Sequence, residues 1–247
     1  SGTIDELIRH AVTKLSHAHF VTNQQAELRL LQLGERGDVT HIIGSPDIDV
    51  MNSDSLPSLA DVKNRYEINF EDYGVLIFHP VTTELDSLQT HIDVLIKALI
   101  NSKKNFVVIY PNNDHGSEII FNAYEQLVNN INFRVFPSMR FEHFLQLLKN
   151  AKFMIGNSSA GVREAPHFGV PTVNLGSRQN NRVSLPSIIN IDFDLDSIGQ
   201  AIQDLEMQSY EKAKIFGDGN SAEKFYKILS NKKFWTIAKQ KFFVDLK

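Results

Sequence analysis

The sequence predicts an α/β fold built on a parallel sheet with helices on both faces. Two observations predict it. After residue 74, short apolar runs of β-branched and aromatic residues alternate with segments of helical periodicity, and each run is followed by a turn or a helix start. That alternation is how successive strand–helix–strand crossovers read in sequence. The expected strands are residues 75–79, 105–110, 133–136, 153–156, 172–175 and 188–191. Residues 85–100 place Leu88, Ile92, Leu95, Ile96 and Leu99 on one helical face, and residues 141–148 do the same with Phe141, Phe144, Leu145 and Leu148. Thr82 or Thr83 is the expected cap of the first helix, and Ser138 lies near the start of the second. Helices over 197–205 and 222–229 continue the pattern, and residues 234–243 read as an aromatic amphipathic helix.

Residues 1–50 differ in kind. A helix over 8–19, a short strand at 20–22, a helix over 24–33 ending at Gly34 and a strand at 40–44 make one and a half strand–helix units, too little to close a sheet. They read as the closing elements of a preceding domain whose first part lies outside the sequence. The start, Ser1-Gly2-Thr3-Ile4, carries no Met and no signal-peptide pattern. The Ser-, Asp- and Pro-rich stretch 52–58 is the expected linker. The expected organisation is therefore residues 1–50, then a sheet domain over 51–230, then a terminal helix over 231–247 that packs back toward the first part.

Composition narrows the function. The 247 residues are 42% hydrophobic, enough for a sizeable core. Lys and Arg number 25 against 29 Asp and Glu, a formal charge of −4, so no nucleic-acid partner is expected. With no Cys, disulfides, zinc–thiolate centres, iron–sulfur clusters and cysteine nucleophiles are excluded, and a reducing, cytoplasmic location is expected. The apolar runs are strand-length, far short of the roughly 20 residues that cross a bilayer, so no membrane partner is expected.

The strongest chemical signal is Phe153-Met154-Ile155-Gly156-Asn157-Ser158-Ser159-Ala160-Gly161-Val162-Arg163-Glu164. An apolar strand enters a Gly/Ser/Asn turn and then a helix, which aims backbone N–H groups and two hydroxyls at whatever lies beyond the carboxyl edge of the sheet. Phosphate suits that place, and Glu164 can accept hydrogen bonds from a ribose diol. An ordinary strand–helix connection with a Ser cap explains the motif equally well. It is neither a Walker loop, since no Lys follows the glycine, nor a dinucleotide fingerprint. Three further loops are expected on the same edge: His79-Pro80, Pro111-Asn112-Asn113-Asp114 and Gly176-Ser177-Arg178-Gln179-Asn180-Asn181-Arg182. Arg178 and Arg182 supply the planar donors a diphosphate needs. Each residue alone has a structural explanation; four loops converging on one edge point to a ligand.

Other candidates carry less. His10 and His17 share a helix face, but no carboxylate or thiolate completes a metal set, so no metal site is expected. Asp192, Asp194 and Asp196 lack the spacing and the central Gly of a calcium loop, and Gly217 and Gly219 suit a tight turn.

Gly2-Thr3-Ile4-Asp5-Glu6 with Ile8-Arg9-His10-Ala11-Val12, Gly44-Ser45-Pro46, Phe78-His79-Pro80-Val81-Thr82-Thr83, Gly156-Asn157-Ser158-Ser159-Ala160-Gly161, Asn174-Leu175-Gly176-Ser177-Arg178-Gln179 and Gly217-Asp218-Gly219-Asn220 resemble the hydrolysing UDP-N-acetylglucosamine 2-epimerases in order and spacing. The resemblance implies the second half of a GT-B-like fold, in which two Rossmann-like domains face each other. It implies conversion of UDP-GlcNAc and water to UDP and N-acetylmannosamine, on a route to sialic-acid-type sugars, with no metal or redox cofactor. UDP and UDP-N-acetylhexosamines are then the expected partners, and the full-length protein is expected to be a homo-oligomer. Carried over by position, UDP contacts fall on Asn112, on the backbone at Phe136, on Ser158 and Ser159 at the phosphates, on Glu164 at the ribose and on Arg178 at the diphosphate. His79 matches the family's essential histidine, and Asp5 and Asp49 match catalytic carboxylates. The family's earlier catalytic acids fall outside the sequence, so this chain is expected to be mainly the UDP-binding half. A hydrolysing 2-epimerase of another UDP-sugar, of the diacetamido-trideoxyhexose type, fits the same motifs. A glycosyltransferase of this architecture or a nucleotide-binding module is the alternative of a different class.

Overall fold

The computed structural model describes residues 4–245 except 181, 207 and 209, with the side chains of 4–6 and 206 also outside the description. The chain divides into two compact units, residues 1–55 with 214–247, and residues 56–213.

The larger unit opens with helix α4 (Leu59–Arg65) and carries six strands: β3 (Gly74–Ile77), β4 (Phe106–Ile109), β5 (Phe133–Phe136), β6 (Phe153–Gly156), β7 (Thr172–Leu175) and β8 (Ile188–Ile191). They form one sheet in the order β5-β4-β3-β6-β7-β8, parallel throughout. Crossovers run through α5 (Leu85–Ser102), α6 (Ser117–Val128), α7 (Phe141–Lys149) and the short α8 (Glu164–Phe168), with α9 (Leu195–Glu206) after the last strand. Leu76, Phe106, Val108, Phe153 and Ile155 pack with Leu88, Ile92, Leu95 and Leu99 of α5 and Ile120, Tyr124 and Leu127 of α6. The alternate strand residues Val75, Val107 and Met154 are also buried, so both faces of the sheet are covered.

The chain winds outward from β3 to β5 and then returns to β6 on the other side of β3. The strand order therefore reverses between β3 and β6, and loops on the carboxyl side of that switch leave a crevice where ligands bind in open α/β sheets. At the end of β6, Gly156 adopts φ +128°, and an added Cβ would fall on the Ile77 carbonyl oxygen. Only glycine lets β6 end against β3 in this way.

The smaller unit contains α1 (Ile4–Leu15), β1 (His19–Val21), α2 (Gln24–Gln32), β2 (Thr40–Ile42), α3 (Pro46–Met51) and α10 (Ser221–Leu229). β1 and β2 pair in parallel. Three expectations are corrected. The first helix ends at Leu15 instead of continuing to residue 19, because Lys241 Nζ binds the Thr13 and Ser16 carbonyls at its carboxyl end, 2.9 and 2.6 Å away. The sheet domain stops at 213, since residues 214–247 group with 1–55. The helix expected over 234–243 is a 3-10 turn, Lys232–Thr236, after which Ile237 is extended; Trp235 Nε1 donates to the Leu229 carbonyl at the end of α10. Caps also differ, with Glu84 and Arg140 preceding α5 and α7 in place of Thr82 or Thr83 and Ser138. Among the described residues no helix is long and apolar enough to cross a membrane.

Candidate functional site

The loops that leave β3, β4, β6 and β7 are tied into one hydrogen-bonded network. His79 follows β3, and its Nδ1 lies 2.9 Å from Asn112 Oδ1 and 3.2 Å from the Asn112 backbone N, both in the loop after β4. Asn112 Nδ2 in turn donates to Asp114 Oδ2 at 2.7 Å. Both ring contacts fall on Nδ1, so Nε2 is the nitrogen presented away from Asn112. Burial and the positive charge of Arg178 lower the pKa of His79 to about 4, with Asn112 and Asp114 opposing them. The imidazole is therefore neutral at physiological pH.

After β6, Asn157 is almost fully buried, and its side chain grips the His79 peptide: Oδ1 accepts from the His79 N–H at 2.7 Å, and Nδ2 donates to the His79 carbonyl at 2.8 Å. The Asn157 carbonyl accepts from Arg178 Nη1 at 3.1 Å and from Gln179 Nε2 at 2.8 Å, which draws in the loop after β7. Arg182 Nη1 donates to Gln179 Oε1 at 2.8 Å. Glu84 accepts from Ser177 Oγ, a second tie between the β3 and β7 loops.

Next to Asn157, Ser158 caps a 3-10 turn, Ser159–Gly161, with its Oγ accepting from the Ala160 N–H at 3.3 Å. The turn and helix expected after β6 are this 3-10 turn and the five-residue α8. Gly169 ends α8 in the left-handed conformation, and Pro166 has no N–H to give it. Glu164 is the first residue of α8 and is buried. Phe136 closes β5; its ring meets Tyr66 edge-on with centroids 5.3 Å apart, and Tyr66 Oη lies 3.1 Å from His143 Nδ1. His79, Asn112, Phe136, Ser158, Ser159, Glu164, Arg178 and Arg182 all lie in the larger unit and at the carboxyl end of its sheet.

The expected carboxylates belong to the smaller unit. Asp5 lies in α1, with its side chain outside the described residues. Asp49, expected as a catalytic acid, is held at the amino end of α10. Its Oδ1 accepts from the Ser221 N–H at 2.9 Å, and its Oδ2 accepts from Ser221 Oγ at 2.9 Å and the Ala222 N–H at 2.8 Å. That is a helix cap supplied from α3, since a carboxylate satisfies exposed N–H groups and faces the positive end of the helix dipole.

A family profile described as UDP-N-acetylglucosamine 2-epimerase matches residues 1–230. The chain belongs to this family. It is 47% identical over 250 residues to the UDP-N-acetylglucosamine 2-epimerase of Neisseria meningitidis serogroup B, across 100% of this chain and 66% of that protein. It is 31% identical to a UDP-N,N'-diacetylbacillosamine 2-epimerase (hydrolyzing) of Legionella pneumophila, across 93% of the chain and 61% of that protein. The chain thus spans a little under two thirds of these relatives. Its fold is that of solved epimerases. A Staphylococcus aureus structure with UDP superposes with a TM-score of 0.71 at 18% identity, over 98% of this chain and 66% of that one. A UDP-GlcNAc 2-epimerase from Neisseria meningitidis bound to UDP-GlcNAc gives 0.70 at 17% identity, over 89% and 63%.

Sequence reasoning missed Asn157, Gln179 and Glu35. Asn157 directly follows the strand-ending Gly156, and that place is the sequence signal that singles it out. Glu35 has no local signal, because its partners Lys14, His19 and Lys241 come from separate elements.

Proposed function

We propose that the larger unit binds UDP and that the full-length protein is a hydrolysing UDP-N-acetylglucosamine 2-epimerase. The observation that carries the proposal is the network joining a neutral histidine, His79, to a guanidinium, Arg178, at the strand switch, where a positive charge is held at the place ligands bind in open α/β sheets. In this reading Arg178, with Arg182 behind Gln179, neutralises the diphosphate, Ser158 and Ser159 contact its oxygens, and Glu164 accepts from the ribose. Phe136 and Asn112 bound the uridine side. Asn112 also orients His79, whose Nε2 meets the leaving phosphate or the proton in transit.

The reaction breaks the C2–H and C1–O bonds of the sugar, forms a C1–C2 double bond and releases UDP; water then adds its hydroxyl at C1 and its proton at C2 from the opposite face. A neutral His79 can hydrogen-bond the leaving group through Nε2, and the arginines suit the negative charge that grows on the departing diphosphate. Asp5 enters as a catalytic carboxylate by resemblance alone, and Asp49 is assigned to capping. The smaller unit is read as the closing part of a Rossmann-like domain. A second substrate, a UDP-diacetamido sugar, is supported by the name of the Legionella relative.

Calorimetric titration with uridine, UMP and UDP tests the binding reading. Affinity that rises from uridine to UDP is expected, and equal affinity for uridine and UDP overturns it. Product analysis with UDP-GlcNAc tests the reaction: free UDP with N-acetylmannosamine supports hydrolysis, whereas UDP-N-acetylmannosamine as sole product excludes it.

A further inference from the structure

We propose that Asn157 is a positioning residue that fixes the His79 imidazole and the Arg178 guanidinium in one arrangement, a role that builds on the diphosphate reading of this site. Every polar group of Asn157 ends on a neighbouring strand or loop. Its N–H donates to the Ile77 carbonyl at 3.2 Å, its side-chain amide binds both the N–H and the carbonyl of His79, and its carbonyl takes Arg178 and Gln179.

The geometry gives this arrangement its force. A planar amide bound to both the N–H and the carbonyl of His79 ties down the two peptide units that flank its Cα, and with them the direction in which the His79 side chain leaves the backbone. The same residue's carbonyl holds the arginine, so a shift of Asn157 moves both groups together. At 1% exposure there is no water to replace these bonds. Gly156 makes the placement possible, because no other residue lets the chain turn this closely past Ile77.

Burial first, and then the Arg178 charge, oppose the positive form of His79, while Asn112 on the ring and Asp114 favour it. If Asn157 fixes His79 against Arg178, removing its side chain releases the ring toward water and away from that charge, and the His79 titration midpoint rises. A purely structural role lowers the melting temperature and leaves the midpoint of the folded protein unchanged.

The test is an NMR pH titration of the His79 ring in the 247-residue chain, carried out with Asn157→Ala and Asn157→Ser. A midpoint raised by about one unit or more is expected, together with a roughly tenfold loss of UDP affinity and unchanged uridine affinity. A folded variant with an unshifted midpoint overturns the proposal. Should neither variant fold, the unaltered chain decides: the Asn157 side-chain amide resonances are expected to move with the same midpoint as the His79 ring, and an amide that ignores the titration overturns the inference. The titration needs no nucleotide, so failure of the unaltered chain to bind UDP counts against the diphosphate reading and leaves the Asn157 result standing.

Discussion

Lys241 and Glu35 form a buried ion pair between the carboxyl-terminal tail and the loop before β2, with Nζ 2.6 Å from Oε2 and the Glu35 side chain 1% exposed. Lys14 reaches the other oxygen at 2.8 Å, and His19 Nε2 lies 2.9 Å from Oε2. Lys241 also binds two carbonyls at the end of α1, so one ammonium closes the tail, the helix and the carboxylate into a clasp. The neighbouring Val244 N–H donates to the Gly34 carbonyl at 3.0 Å, and the Phe243 ring lies under Lys14 Nζ at 4.9 Å. The tail follows this clasp instead of forming a helix.

Lys241→Met removes three of these contacts and leaves a buried carboxylate with fewer partners. Breaking one side of a buried pair costs about 3–5 kcal/mol when the charge is left alone, but Lys14 and His19 remain, so a loss of about 2 kcal/mol is expected in urea unfolding. The pH dependence is specific. Burial raises the pKa of Glu35, but the bonds from Lys14, Lys241 and His19 outweigh it and bring the carboxyl down to about 2. The folded value is depressed, so this contribution is fully present above pH 4.5 and is lost as pH falls from 4.5 toward about 2. The variant is expected to show a smaller stability change across that window; an identical acid profile would contradict the clasp.

Asp49→Ala removes the carboxylate that satisfies two backbone N–H groups and one hydroxyl at the start of α10. Loss of a cap costs about 1–2 kcal/mol, and the damage is local. Hydrogen exchange is expected to quicken across residues 221–229 while the six-stranded sheet keeps its protection. If Asp49→Asn restores stability but not turnover of the full-length protein, a chemical role for this residue returns.

Gly156→Ala places a methyl group against the Ile77 carbonyl at a backbone angle that L-residues avoid. Ile77 is hydrogen-bonded in the centre of the sheet and has no room to retreat. A loss of about 3 kcal/mol or more is expected in thermal unfolding, and a variant as stable as the parent would refute the close approach of β3 and β6.

The six strands of the sheet unit are legible in the sequence to within about two residues, because strands buried on both faces leave uninterrupted apolar runs such as Phe106-Val107-Val108-Ile109. The carboxyl-edge loops follow directly from those strand ends. What the sequence leaves unread depends on partners distant along the chain. The end of α1 is set by Lys241, the tail by Glu35 and Gly34, and the role of Asp49 by α10. The short helices α3 and α4 also escape, since six and seven residues are too few to establish a periodicity. Within the site, residue types point to an anion, but the link between His79 and Arg178 is invisible until Asn157 is seen between them.

Arg178→Ala separates charge from architecture. Burial lowers the His79 pKa first and the Arg178 charge second, so removing the guanidinium is expected to raise the His79 midpoint from about 4 toward the ordinary histidine range without unfolding the loop, since Gln179 still binds the Asn157 carbonyl. Its effect on binding is expected to follow ligand charge: UDP weakens roughly tenfold or more, UMP less, and uridine barely, because only the phosphates meet the lost cation. Calorimetry of the three ligands against the variant reads this gradient directly. An equal loss for uridine and UDP would move Arg178 away from the diphosphate, and an unmoved His79 midpoint would show that the two side chains do not sense one another.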